Sequence, residues 1–181
     1  MPEPTCPSAE PLDLRAFVRT VPDFPRPGIS FYDITPILRD RKAFASAIDR
    51  LSEPFIGLNV DIVVSMEARG FIFGPAVAYR LAAGFAPIRK VGKLPYETLE
   101  INYNLEYGTD TIEIHRDAVL AGERVLILDD VLATGGTAGA VVKLVGQMKG
   151  TIVATAFLIE LCELGGRKAL GEVPVVSLLE Y

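Results

Sequence analysis

Apolar residues follow two rhythms along this chain, and from about residue 61 onward the two alternate. Residues 61–66, 86–91, 152–159 and 173–178, mostly apolar, and the unbroken apolar run 125–128 predict strands, and those buried on both faces belong in a parallel sheet. Residues 70–81 and 138–148 carry helical patterning between such runs and predict crossover helices. Earlier, Phe44, Ala47, Ile48 and Leu51 recur at helical spacing and predict a helix over 41–51. Strands alternating with helices define an α/β fold, an open and mainly parallel sheet flanked by helices with right-handed crossovers.

Two stretches depart from this rhythm. Residues 92–112 are rich in Gly, Pro, Asn and Tyr, which predicts a flexible flap built as two ribbon arms around a mobile tip, with strand alternation resuming at 111–114. At the amino end, residues 1–11 hold four prolines and little apolar material, as expected of a loose arm. Leu12, Phe17, Val18 and Val21 would form the apolar side of a short helix ending before Pro22. Pro22, Pro25, Pro27 and Gly28 then force an irregular, rigid path suited to framing a planar ligand. Residues 12–181 are expected to form one domain, with amino-terminal elements as a hood and 92–112 as its flap.

Composition narrows the chemistry. The chain has 181 residues, half of them apolar, enough for one substantial core. With 18 basic and 23 acidic residues, its formal charge of −5 argues against nonspecific capture of nucleic acid. Cys6 and Cys162 are the only cysteines and His115 the only histidine, so the sequence offers neither a structural zinc set nor a disulfide scaffold. The absence of an amino-terminal apolar signal and of a run of transmembrane length leads to an expectation of a cytoplasmic protein with no membrane partner.

The densest chemistry lies in VLILDDVLATGGT, residues 125–137. Asp129 and Asp130 follow the apolar run, placing two acids where open α/β sheets bind ligands. Two like charges about 4 Å apart repel by roughly 1 kcal/mol in water and about 4 kcal/mol at an effective dielectric of 20. A partly enclosed pair therefore calls for hydroxyl donors or a cation. Ala133, Thr134, Gly135, Gly136 and Thr137 form a loop whose amides and hydroxyls can converge on one anion at the start of the next helix. No Lys follows the glycines as in a Walker A loop, and no G-x-G-x-x-G is present. An acidic polyol or metal site beside a phosphate cradle is the reading, against a solvated strand end with a helix cap.

This segment resembles the ribose-phosphate signature of the type I phosphoribosyltransferases. FPRPGISFYDITP at 24–36, EARGFIFG at 67–74, GKLP at 92–95 and LEYG at 105–108 resemble the adenine phosphoribosyltransferase branch, so the likeness spans most of residues 15–181. It implies a purine-salvage reaction in which adenine and phosphoribosyl pyrophosphate give adenosine monophosphate and pyrophosphate. One departure is Tyr32, where relatives usually carry a basic residue.

The resemblance also implies roles. Asp129 and Asp130 would take the ribose 2′- and 3′-hydroxyls, with hydrated Mg²⁺ as cofactor and no side chain assigned as its direct ligand. The 133–137 loop would take the 5′-phosphate. Arg89, Lys90 and Lys93 would serve pyrophosphate, whose charge grows as it leaves, and Arg69 would clamp pyrophosphate or lie near the purine. Glu67 would be an orienting partner or an indirect Mg²⁺ contact, and Arg89 would reach a neighbouring subunit's site in a homodimer. Ser30, through its backbone, and Leu161 would enclose adenine. Glu106 would receive or guide the N9 proton of adenine, and Tyr107 would pack in the lid. Two alternatives share these residues: the same transfer to a 6-oxopurine, and a noncatalytic nucleotide-sensing or nucleic-acid regulatory protein on the same fold.

Overall fold

The computed structural model describes residues 12–105 and 108–181, which fall into two compact units, the first ending at Ala47 and the second comprising Ile48–Tyr181. In chain order the elements are β1 (Arg19–Val21), β2 (Phe31–Asp33), α1 (Thr35–Arg39), α2 (Arg41–Ser52), β3 (Ile62–Met66), α3 (Gly70–Leu81), β4 (Gly84–Lys90), β5 (Thr98–Leu105), β6 (Gly108–His115), β7 (Arg124–Leu132), α4 (Gly136–Gln147), β8 (Thr151–Glu160) and β9 (Val175–Glu180). Among the described residues no helix is long and apolar enough to cross a membrane.

In the first unit the helix expected before Pro22 is absent. A single 3₁₀ turn, Leu14–Phe17, is capped by the Asp13 carboxylate accepting from the Arg15 amide at 3.0 Å, and the chain is already extended at Val18. Thr20 and Val21 are β-branched, and a residue before proline avoids the helical region. The backbone instead forms β1, which pairs antiparallel with β2 as Arg19↔Asp33 and Val21↔Phe31. The proline loop is the connection of this hairpin, tied by Gly28 N–H donating to Asp23 Oδ1 at 2.7 Å.

The second unit carries the sheet, ordered β5-β6-β4-β3-β7-β8-β9. Strands β4, β3, β7, β8 and β9 run parallel, while β6 is antiparallel to both β4 and β5. The segment 92–112 does contain two ribbon arms, β5 and the first half of β6, in register from Thr98↔His115 to Leu105↔Gly108. Alternation sorts the parallel strands between two helical layers. Val64, Met66, Val125 and Ile127 bury against Ala140, Val141, Leu144 and Val145 of α4. On the other face α3 lies close enough to Ser65 that any side chain at Gly74 would collide with its hydroxyl.

From β3 the chain proceeds to β4 on one side, and from β7 to β8 and β9 on the other. The strand order thus reverses between β3 and β7, where open sheets leave a crevice at their carboxyl ends. The register refines this point. The β3–β7 ladder ends at Ser65↔Leu128, whereas β7 stays paired to β8 as far as Leu132↔Glu160. Asp129 and Asp130 therefore do not end their strand, as expected from the sequence. They lie within it, just past the point where one neighbour has stopped.

Candidate active site

Each side of the crevice is supplied by the loop leaving one strand. After β3, Glu67-Ala68-Arg69 leads into α3, and after β7, Ala133-Thr134-Gly135 leads into α4. The buried Ser65 hydroxyl joins the two sides, with Oγ 2.6 Å from the Leu128 carbonyl and 3.2 Å from that of Gly70. A hydroxyl has one proton, so one of these contacts takes it at a time. Gly70 is required here because a β-carbon would strike the Asp129 carboxylate.

Asp129 and Asp130 are both buried. The Asp130 amide donates to Asp129 Oδ1 at 2.9 Å. Burial raises the Asp129 carboxyl well above the ordinary range, and the adjacent Asp130 charge raises it further. Arg69, at the start of α3, places Nε 2.6 Å from Asp130 Oδ2, but its N–H is not aligned on that oxygen. The contact is an ion pair, and among the described residues Asp130 Oδ2 is a buried acceptor without a hydrogen bond. Such an atom suits a hydroxyl donor or a hydrated cation.

The 133–137 loop is shaped from behind. Gly135 has φ of +79°, and a β-carbon there would collide with the Gly166 carbonyl and lie 2.8 Å from the Ala169 side chain. Gly166 is equally confined, against the Ala133 carbonyl. This buttress was not expected from the sequence, although Gly165-Gly166 was a visible signal for close backbone approach. Gly139 N–H donates to the Gly135 carbonyl at 2.8 Å, so the loop passes directly into the first turn of α4. The first amides of an α-helix have no intrahelical partner, which suits the start of α4 to an anion.

A cleft of about 310 Å³ brings most of the expected residues together, with Asp129 and Ala133 to Thr137 on one side and Arg89 and Lys90 on the other. Asp130, Arg69 and Lys93 do not line it: Asp130 is buried against Arg69, and the Lys93 side chain is exposed. Nor does Leu161, whose amide donates to the Leu132 carbonyl at 2.9 Å beyond the end of β8. Ser30 is an exposed residue of the first unit, immediately before β2, which contains Tyr32. Glu106 and Tyr107 lie outside the described residues.

Glu67 pairs with Arg89 and accepts the Lys90 amide at 3.3 Å. The Arg89 hydrogen bond holds the Glu67 carboxyl below its ordinary value and raises the guanidinium's own. Arg89 Nη1 also donates to the Lys93 carbonyl at 2.9 Å, so one side chain spans both basic segments while lining the cleft of its own chain.

Three residues of the ribbon escaped sequence reasoning. Glu113, opposite Arg89 in the ladder, is buried and accepts the Lys93 and Leu94 amides at 2.9 Å each. Burial works to raise its carboxyl, but the amides of Leu94, Lys93 and Gly92 outweigh it and the carboxyl lies below the ordinary range. Tyr103 and Asp110, directly opposed across the ribbon, line the cleft. The only sequence signal for Glu113 was an acid alternating with apolar residues, which also describes a solvated strand face.

Fold and crevice together define a phosphoribosyl-transfer enzyme, with a paired-acid site and an anion cradle on the carboxyl edge of a parallel sheet. The phosphoribosyl transferase domain family matches residues 30–174. The adenine phosphoribosyltransferase of Acidobacterium capsulatum is 58% identical over 168 residues, covering 93% of each chain. The solved adenine phosphoribosyltransferase of Thermoanaerobacter pseudethanolicus superposes with a TM-score of 0.90 at 51% identity, covering 93% of this chain and 98% of that one. The Saccharomyces cerevisiae enzyme, solved with adenine and an imino-altritol bisphosphate, gives 0.85 at 42% identity, covering 90% and 94%. The chain belongs to the phosphoribosyltransferase family, within its adenine phosphoribosyltransferase branch.

Proposed function

We propose that this protein transfers a phosphoribosyl group from phosphoribosyl pyrophosphate to N9 of adenine, giving adenosine monophosphate and pyrophosphate in purine salvage. The observation that carries this reading is the single cleft shared by the acid, the 133–137 loop, Arg89 and Lys90. Those groups supply partners for the ribose hydroxyls, the 5′-phosphate and the leaving pyrophosphate of one substrate. As the C1–O bond to pyrophosphate breaks, positive charge develops on the ribose and negative charge on the leaving group. Arg89 and Lys90 stabilise the latter more strongly in a closed site than in water. Glu106 receives the N9 proton, an assignment that rests on the LEYG resemblance.

Mg²⁺ fits as an ion carried largely by the substrate. Among the described residues no group of three or more His, Cys, Asp or Glu could hold a metal, whereas Mg²⁺ commonly uses one or two carboxylates with phosphate and water. The buried Asp130 oxygen and its neighbour Asp129 suit that supporting role. When bound, the ion supplies charge neutralisation for the pyrophosphate.

Backbone carbonyls near Ser30 and the apolar Leu161 are assigned to adenine, whose amine donates where a 6-oxopurine would present another acceptor. We assign the protein to the cytoplasm and to a homodimer. Ile72, Pro75 and Tyr79 on α3 leave an apolar stripe exposed, with Tyr79 89% accessible, and a second copy would cover it. Incubation with adenine, phosphoribosyl pyrophosphate and Mg²⁺, followed by nucleotide separation, should show adenosine monophosphate. Folded protein that makes none rejects the reading, and higher kcat/KM with a 6-oxopurine rejects the base assignment.

A further inference from the structure

Lys90, assigned above to pyrophosphate, already has an anion. Its Nζ lies 3.3 Å from Asp110 Oδ2, and both residues line the cleft. The ladder produces this contact: Lys90 pairs with Ile112, and Asp110 is two residues away on the same face of β6. Tyr103, directly opposite Asp110, brings its hydroxyl to within 3.4 Å of the same oxygen. Asp110 Oδ1 accepts the Thr111 amide at 2.9 Å, which fixes the carboxylate in place. A negative group is thus built into the wall of a cleft whose proposed substrate is a polyanion.

We propose that the Asp110 carboxylate is an internal rival of the substrate's pyrophosphate for Lys90, and that it thereby sets the affinity for phosphoribosyl pyrophosphate. This inference rests on the functional reading above. The Lys90 side chain is 66% accessible and that of Asp110 26%, so the cation can turn from one anion to the other without unfolding the ribbon. Exchange is the physical consequence. A diphosphate brings more charge and more acceptors than one carboxylate and displaces it, but the cost of breaking the ion pair remains in the measured affinity. Exposed pairs of this kind are weak, which places the effect at about a two- to fivefold change in affinity.

The test is a double-mutant cycle. Asp110→Asn and Asp110→Ser each remove the charge while keeping an acceptor for the Thr111 amide, and circular dichroism checks their folding. Each should lower the KM for phosphoribosyl pyrophosphate by about two- to fivefold, with kcat within about twofold, and should tighten calorimetric binding of Mg²⁺-pyrophosphate alike. In a Lys90→Met background the gain should shrink toward unity. Unchanged or weaker binding in both folded variants overturns the proposal. An equal gain with and without Lys90 also overturns it, because Asp110 would then act by distant charge alone. Should wild-type protein make no nucleotide, the transfer reading fails, while the pyrophosphate titrations still decide whether Asp110 competes for Lys90.

Discussion

Arg69 Nε stands 2.6 Å from Asp130 Oδ2, joining the start of α3 to the acid pair of β7 across the point where strand order reverses. The guanidinium offsets part of the charge that two adjacent buried carboxylates would otherwise leave unpaired. It does not align a hydrogen bond on that oxygen, which stays buried behind the cleft lined by Asp129.

Asp129→Asn and Asp130→Asn should both lower kcat/KM while leaving the circular dichroism spectrum intact, and need not do so equally. Their stability profiles should also separate. Because the folded Asp129 carboxyl is raised above its unfolded value, the contribution it makes is present at low pH and lost as pH rises from about 4 through the raised value. Wild-type melting temperature should therefore fall relative to Asp129→Asn over that rise. Parallel curves in thermal scans between acid and neutral pH would exclude the assignment.

Glu106→Gln should lower the chemical rate by about 10²–10⁴-fold while changing phosphoribosyl pyrophosphate binding little, since the amide keeps the shape but not the basicity. Single-turnover measurement is the right check because slow product release can hide a chemical defect. A wild-type single-turnover rate in folded variant would reduce Glu106 to a lid residue.

Gly135→Ala meets two penalties at once. The left-handed backbone costs about 1–2 kcal/mol for a residue with a β-carbon. Collision with the Gly166 carbonyl and Ala169 adds about 1–3 kcal/mol of overpacking. Urea denaturation should show a loss of about 2–5 kcal/mol, with a raised KM for phosphoribosyl pyrophosphate as the loop moves. Stability within 0.5 kcal/mol of wild type, a bound of about the size expected for a surface change, would mean the buttress yields freely.

Glu113→Leu removes the oxygen that accepts both the Lys93 and the Leu94 amides. The expected loss is about 1–3 kcal/mol of stability. Because Glu113 holds the turn whose Lys93 carbonyl receives Arg89, the KM for phosphoribosyl pyrophosphate should rise more than kcat falls. Steady-state kinetics beside a melting curve distinguishes this from a purely structural lesion, which would leave KM unchanged in the surviving folded protein.

Charging the α3 stripe by Ile72→Glu together with Tyr79→Lys should give a monomer in sedimentation velocity if the stripe joins two copies. A persistent dimer would place the interface on another surface.

The alternation of apolar runs with helical repeats by itself determined the α/β class, because only burial on both faces permits continuous apolar strands and only one apolar side is needed for their covering helices. Helix α3 was legible to its terminal residues, and the glycines of DDVLATGGT announced the turn that opens α4. Short elements were not legible. At Leu14–Val21 a few apolar residues fit a helical face equally well, and the hairpin with β2 depends on a partner ten or more residues away. Nor could the sequence tell which cation meets which anion. Arg69 lies two residues from Glu67, yet it pairs with Asp130, while Glu67 takes Arg89. That choice follows from strand order: β3 stands between β4 and β7, so the residues after it reach acids and bases far away in the chain. Glu113 and Asp110 became chemically specific only through register, since a one-residue slip would have turned each to the opposite face of the ribbon.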